Sequence, residues 1–170
     1  SGATTRIFSM THANAVIAGL TIRDGRGPNA YFYGCGVNMS NGVVRDCVIR
    51  DNGDQDRQRG AGVYMAGGMI TNCIVVNNKC QHDGQGGGIL ASGSSQILSC
   101  QVLENRGGKD GDLGGYGGGI YIDSSSTVVV RNCLIASNYM GSANSANHGA
   151  GVYMNSGTSE TPRTMTETDE

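Results

Sequence analysis

The sequence predicts an all-β solenoid, a right-handed parallel β-helix of about five coils. The segment GAGVYM occurs at residues 60–65 and again at 149–154, and looser copies begin at Gly34, Gly86 and Gly117. After each copy but the last a cysteine and, five residues later, an asparagine recur, while the segments between the asparagine and the next glycine-led copy vary in length. This pattern is typical of solenoids, in which each repeat contacts only its neighbours and insertions are confined to loops.

Each repeat is predicted to contain short strands. In Val63-Tyr64-Met65 and Val152-Tyr153-Met154 the apolar residues alternate with tyrosine, which is the period of a strand. A second strand is expected to start at a cysteine column, three residues after another apolar column, so the chain is expected to bend between the two. Strands that stack in parallel from coil to coil are connected by crossovers, which are overwhelmingly right-handed. The cysteine column comprises Cys47, Cys73, Cys100 and Cys133, with Leu20 in the earlier copy, and the upstream column comprises Val44, Ile70, Ile97 and Val130.

The columns also predict the interior of the coils. Inward Val, Ile, Met and Cys side chains fill a narrow core, and the chain has no Trp. The stacked cysteines are expected to be buried and unbridged, because the rung spacing of about 4.8 Å exceeds the separation that disulfides prefer. A bridge between Cys35 and Cys80, which lie in or beside loops, is left open. Asparagines five residues after each cysteine predict a ladder of stacked amides at a turn, formed by Asn52, Asn78, Asn105 and Asn138.

Composition and charge limit the classes of function that the chain can have. With 12 basic and 14 acidic residues the net charge is −2, which gives no electrostatic reason to expect a nucleic-acid partner. No apolar run reaches membrane-spanning length. Residues 1–158 are predicted to form one β-helix domain, a segment of a longer chain, and residues 159–170 a flexible polar tail or linker.

Two groups of residues are candidates for binding. Tyr64, Tyr121 and Tyr153 are expected to share an outward column with Asn38 and Leu90, where they either stack on sugar rings or support their cross-strand neighbours. The variable segments all follow the asparagine column, so they are expected to emerge on one side of the solenoid. They carry paired carboxylates that are candidate calcium ligands, namely Asp54 with Asp56 and Asp110 with Asp112. The histidines His12, His82 and His148 are expected to be loop residues.

The order Gly-Gly-Gly-Ile-Tyr, Asn-Cys-x-Ile and Asn resembles the repeats of pectate-lyase-like, right-handed β-helix proteins of bacterial surfaces. The resemblance covers about residues 7–158 and implies an extracellular or cell-surface location. It does not fix the activity, because the family includes polysaccharide lyases, hydrolases and adhesins. For a lyase, the base is usually Arg or Lys, and the candidates here are Arg57, Arg106 and Lys109.

The function expected from these observations is a non-catalytic extracellular module whose loops mediate adhesion or polysaccharide binding. One alternative is a polysaccharide lyase or glycoside hydrolase acting on uronic-acid polymers. A second alternative is a structural stalk that associates end to end. No cofactor is expected apart from calcium, and the expected partner is a polysaccharide or a cell-surface glycan.

Overall fold

The computed structural model describes residues 5–27, 32–56, 58–82, 84–108, 115–124, 126–141 and 148–155, with only the backbone described for residues 55 and 56. Within these ranges the chain forms eighteen short strands and no helix. The described residues therefore offer no helix that is long and apolar enough to cross a membrane.

The strands form three sheets in which all pairing is parallel. The first sheet contains β1 (Phe8–Met10), β2 (Val16–Ala18), β4 (Val37–Met39), β5 (Val43–Arg45), β8 (Val63–Thr71), β11 (Ile89–Leu98), β14 (Ile120–Ile122), β15 (Val129–Arg131) and β18 (Val152–Met154). The second sheet contains β3 (Thr21–Arg23), β6 (Val48–Arg50), β9 (Ile74–Val76), β12 (Gln101–Leu103) and β16 (Leu134–Ala136). The third sheet contains β7 (Gly53–Asp56), β10 (Lys79–Gln81), β13 (Arg106–Gly107) and β17 (Tyr139–Met140).

The chain passes through the three sheets in turn and then returns to the first, which makes the fold a parallel β-helix. Each residue pairs with its equivalent one turn later, as in the series Val37, Val63, Ile89, Ile120 and Val152. Four turns have a described strand in all three sheets, and a partial turn lies at each end. The expectation of about five coils is therefore slightly too high, because the count of glycine-led copies includes the last copy, whose only described strand is β18.

The bends between the sheets lie at residues with a left-handed backbone. The expected bend before each cysteine is confirmed: Asp46, Asn72, Ser99 and Asn132 have φ between 50° and 55°. Asp and Asn tolerate this conformation better than most residues. At this corner the Asn72 amide donates to Asp46 Oδ1 at 2.6 Å, and this bond, together with one from Arg45, holds the pKa of Asp46 below its usual value. A second bend, after β6 and its equivalents, has the same backbone at Asp51, Asn77, Glu104 and Ser137.

The core is a narrow stack of aliphatic and sulfur side chains, as expected. Its fully buried members include Val37, Met65, Ile97 and Ile120. The column cysteines are buried and unbridged. Their thiols and backbone bond to adjacent groups: the Cys73 thiol donates to the Thr71 carbonyl at 3.2 Å and accepts from the Cys47 amide at 3.4 Å.

Leu20 departs from the expected core. Its register is that of the cysteine column, because its carbonyl accepts from the amide of Val48 just as the Cys47 carbonyl accepts from Ile74. The side chain is nevertheless 45% exposed. Ile22, two residues later in the same turn, is buried, so register alone does not decide burial at Leu20.

The asparagine ladder is present and is hydrogen-bonded along its length. Nδ2 of Asn52, Asn78 and Asn105 donates to Oδ1 of the next asparagine, at 3.0 Å in each case. The same oxygens accept from the backbone amides of the preceding turn at 3.0–3.1 Å. Each Nδ2 also donates to a backbone carbonyl, such as that of Ile49 for Asn78 at 2.9 Å. The ladder therefore satisfies its buried amide groups from within the solenoid.

The pair left open in the sequence, Cys35 and Cys80, is unbridged in the structure, and both side chains are fully buried. Burial raises the pKa of Cys35 to about 11 and that of Cys80 to about 12. Both thiols are therefore protonated at neutral pH and act as small apolar groups.

Candidate functional site

Two adjacent columns of side chains meet on the outer surface of the first sheet. The first column is the second residue of β4, β8, β11, β14 and β18 and comprises Asn38, Tyr64, Leu90, Tyr121 and Tyr153. The second column lies five residues earlier in each turn, where isolated parallel bridges join Tyr33, Arg59, Gln85, Tyr116 and His148. We call these ten residues the aromatic surface.

A glycine turn in each repeat brings the two columns together. The residue after each second-column position is a glycine with φ between 57° and 64°, a conformation that side chains disfavour. At Gly60, for example, a Cβ would lie 2.2 Å from the carbonyl oxygen of Val63. The recurrence of glycine in GAGVYM and its copies is thus required by the turn that sets one column beside the other.

One patch of the aromatic surface lies in the early turns. The rings of Tyr33 and Tyr64 meet edge to face, with centroids 4.7 Å apart and planes at 66°. Arg59 lies beside them, with its Cζ 5.6 Å from the Tyr33 centroid and one guanidinium nitrogen donating to the Tyr33 hydroxyl at 3.1 Å. This patch therefore combines two phenol rings with a cation.

The other patch lies in the late turns and contains four rings. Tyr116 stacks on His148 at 5.4 Å with planes at 10°, and it contacts Tyr153 at 4.9 Å. Tyr153 also stacks on Tyr121 at 5.5 Å. Tyr121 is only 4% exposed, its hydroxyl accepts from Asn155 Nδ2 at 3.2 Å, and burial raises its pKa. Tyr121 thus supports the more exposed rings around it.

The geometry of this surface suits an elongated amphipathic ligand. The rung of Gln85 and Leu90 separates the two patches, so Tyr64 and Tyr121 lie two turns apart, about 10 Å at the usual strand spacing. Tyr64 and Tyr153 are partly exposed and His148 is exposed. Phenol rings offer an apolar face and a polar hydroxyl in the same side chain, which matches the mixed apolar and hydroxylated surfaces of sugars.

The sequence predicted half of this surface. Tyr64, Tyr121 and Tyr153 form one column, as expected, but Tyr121 and Leu90 are covered by neighbouring side chains rather than openly displayed. The second column was not predicted, and His148 was assigned to a loop. A signal was present, because all five second-column residues stand three positions before the middle glycine of their repeat. The role of the tyrosines in ligand binding stays a prediction.

The predicted charged residues lie partly outside the described part of the chain. Arg57, Lys109, Asp110 and Asp112 belong to the undescribed residues, and only the backbone of Asp56 is described. Asp54 Oδ1 accepts from Arg106 at 3.2 Å and from Gln81 at 2.9 Å. No group of three or more His, Cys, Asp or Glu side chains among the described residues could hold a metal ion. Calcium binding by the predicted carboxylates therefore stays a prediction.

Arg106, the described member of the candidate bases, forms an ion pair. Its side chain is 15% exposed and one terminal nitrogen contacts Asp54. In this arrangement the guanidinium acts as a hydrogen-bond donor to a carboxylate. The geometry at Arg106 thus favours anion binding over proton abstraction.

Comparison with known proteins identifies the architecture. The family model described as right-handed beta helix region matches residues 6–165, which is most of the chain. Neither the curated proteins nor the solved structures contain a match to this sequence. The family match agrees with the parallel winding of the three sheets and with the expected handedness.

Proposed function

Because the chain belongs to the right-handed β-helix family, we propose that it is a non-catalytic module that binds polysaccharide through the aromatic surface. The observation that carries this proposal is the pairing of two side-chain columns into patches of phenol rings on one outer surface. The proposed place of action is outside the cell, where polysaccharides are displayed.

The rigidity of the solenoid supports this role. The rings project from backbone that is hydrogen-bonded to both neighbouring turns, as where the Val63 amide donates to Gly88 at 2.9 Å and the Val37 amide donates to Gly62 at 3.0 Å. A preorganised surface loses little conformational entropy on binding. Two patches about 10 Å apart also let one polymer chain contact both, and the second contact gains from the first by effective concentration.

A polysaccharide lyase gains less support from the described residues. The candidate base Arg106 donates to Asp54, and Asp54 also accepts from Gln81. A glycosidase requires two carboxyl groups facing each other across a groove, whereas the aromatic surface carries no carboxylate among its ten residues.

The proposal is tested by retention and product analysis on one panel of acidic and neutral polysaccharides, with and without calcium. We expect at least one polysaccharide to retain the protein without release of new oligosaccharides. Replacement of both Tyr64 and Tyr153 by Ala should weaken that retention about tenfold or more, the effect typical of losing central aromatic anchors. Leu134→Ala is the matched control, because Leu134 is a 41% exposed apolar residue on the second sheet.

Two outcomes would overturn the proposal. One is retention that the tyrosine double variant leaves unchanged. The other is the appearance of new oligosaccharides, which mass spectrometry would detect and which would identify an enzyme instead of a binding module.

A further inference from the structure

The four cysteines of the cysteine column form a stack of thiols at the corner between the first and second sheets. Each cysteine directly precedes a strand of the second sheet. Its carbonyl accepts from the amide that follows the next cysteine, as from Gln101 to Cys73 at 2.9 Å and from Leu134 to Cys100 at 3.0 Å. The cysteines are therefore in register, about 4.8 Å apart along the axis of the solenoid.

The four thiols also share one orientation. Each Sγ lies 3.1–3.3 Å from the carbonyl oxygen of the residue two positions earlier in the chain. Side chains that are in register and make the same local contact have the same rotamer, so the sulfur atoms are separated by about the rung spacing of 4.8 Å. This separation is far longer than the sulfur–sulfur bond of about 2.05 Å in a disulfide.

The spacing of the sulfur atoms suits a metal ion with two ligands in a line. A first-row metal–thiolate bond is about 2.3 Å long, so a straight sulfur–metal–sulfur unit spans about 4.6 Å. This length is close to the rung spacing of about 4.8 Å. Soft thiolate ligands select Cu(I), which has a filled d shell and accepts two ligands in a line. Such a site needs only two of the four cysteines.

Backbone amides donate hydrogen bonds to the sulfur atoms of the stack. The Cys100 amide donates to Cys133 Sγ at 3.4 Å, and the Cys47 amide donates to Cys73 Sγ at 3.4 Å. A hydrogen bond donated to sulfur favours the ionised thiolate, which is the form that binds a metal. The corner therefore already supplies a donor to a sulfur atom that becomes negatively charged.

Cys133 is the most accessible cysteine of the stack. It is 9% exposed, whereas the other three cysteines of the column are 1–2% exposed. Its two neighbours in the chain, Asn132 and Leu134, are both exposed. A single metal ion needs a much smaller opening than an organic ligand does. The gap between Cys133 and Cys100 is therefore the place where an ion can enter the stack.

We propose that Cys100 and Cys133 bind one Cu(I) ion between their sulfur atoms. Each thiol loses its proton to solvent as its copper–sulfur bond forms, and copper stays Cu(I), so the step needs no oxidant or reductant. The resulting unit carries one negative charge, towards which the Cys100 amide donates. The proposal does not rest on the role of the aromatic surface, because the cysteine column is buried and shares no residue with that surface.

The test is an anaerobic titration of the full chain with Cu(I) in competition with bicinchoninate, a chelator that changes colour with Cu(I). We expect the chain to withdraw one Cu(I) from the chelator. Cys133→Ser should weaken Cu(I) binding by more than about a hundredfold, because even the loss of a group that only supports a metal ligand costs about 10–100-fold. Cys47→Ala is the matched control, since Cys47 is a buried cysteine of the same column two turns from Cys100. It should leave the affinity unchanged within about twofold.

Two measurements on the unaltered protein keep the proposal testable if Cys133→Ser fails to fold. X-ray absorption at the copper edge should show two sulfur neighbours and no nitrogen or oxygen neighbour. Alkylation by iodoacetamide, mapped by mass spectrometry, should be slower at Cys133 in the presence of Cu(I).

Four results would overturn the proposal. They are no withdrawal of Cu(I) from the chelator, a copper environment other than two sulfur atoms, equal affinity in Cys133→Ser, and alkylation of Cys133 that Cu(I) does not slow. Because these variants leave Tyr64 and Tyr153 intact, failure here is distinguishable from failure of the aromatic surface.

Discussion

At the scale of the residue, the buried asparagines carry a stabilising role that hydrophobicity alone would not assign to them. Asn78 is fully buried, and its side chain accepts two hydrogen bonds from Asn52 and donates to Asn105 and to the Ile49 carbonyl. Removing it would leave donors and acceptors on both neighbouring turns without partners. Such orphaned buried groups cost about 1–3 kcal/mol each.

We therefore predict that Asn78→Ala lowers the free energy of unfolding by about 3 kcal/mol, measured by urea denaturation. The control is Gln101→Ala, which removes an exposed side-chain amide from the second sheet and should change stability by less than about 0.5 kcal/mol. Similar effects of the two substitutions would contradict the stabilising role of the ladder.

Single residues also show where sequence reasoning succeeds. The asparagine ladder was predicted because an asparagine recurs five residues after each cysteine. Side-chain amides stacked at a turn can hydrogen-bond to one another. Leu20 has the register that its spacing predicts, but it is exposed while Ile22 of the same turn is buried, so spacing gives register and not burial. For Tyr121, alternation predicted the column but not the burial, because one ring that covers it, Tyr116, lies in the second column, and the other, Tyr153, is its own column neighbour one turn later.

At the scale of the element, the middle glycine of each repeat controls how closely the turns stack. A Cβ at Gly88 would lie 2.6 Å from the Gly119 carbonyl oxygen and 2.9 Å from Nδ2 of Asn105. Gly151 occupies the same position in the last copy, where the only described atom within 4 Å of an added Cβ would be in Ile135, at 3.7 Å. The same position of the repeat therefore has no room for a Cβ in one turn and has room for it in another.

We predict that Gly88→Ala destabilises the protein by about 1–3 kcal/mol through this overpacking, and that Gly151→Ala is neutral within about 0.5 kcal/mol. Thermal unfolding followed by circular dichroism compares the two directly. Equal destabilisation by both substitutions would show that glycine is needed for its own backbone conformation and not for the close approach of the next turn.

The elements also explain which part of the site was predictable. Alternation of apolar residues with tyrosine revealed the first column, because that column lies in regular strands. The second column forms only isolated bridges after loops of different length, so strand periodicity could not reveal it. Alignment of the copies on their middle glycines recovers it, since the glycine turn fixes the offset between the columns.

At the scale of the whole molecule, one repeat builds both the scaffold and its surfaces. The inward columns and the asparagine ladder hold four complete turns in register. The outward columns differ from sheet to sheet, with phenol rings on the first and Lys79, Arg106 and Tyr139 in register on the third. The sequence predicted the parallel winding, which the family match to residues 6–165 also identifies. Two of the four predicted acidic residues, Asp110 and Asp112, lie outside the described ranges.

The most direct test of polysaccharide binding by the aromatic surface is saturation-transfer difference NMR with a polysaccharide that retains the protein. The chain has no Trp and only two Phe beside seven Tyr, so saturation of aromatic protons reports chiefly on tyrosine. We predict transfer to the sugar ring protons in the unaltered protein and its loss when Tyr64 and Tyr153 are both replaced by Ala. Transfer of equal strength in that double variant would contradict the account.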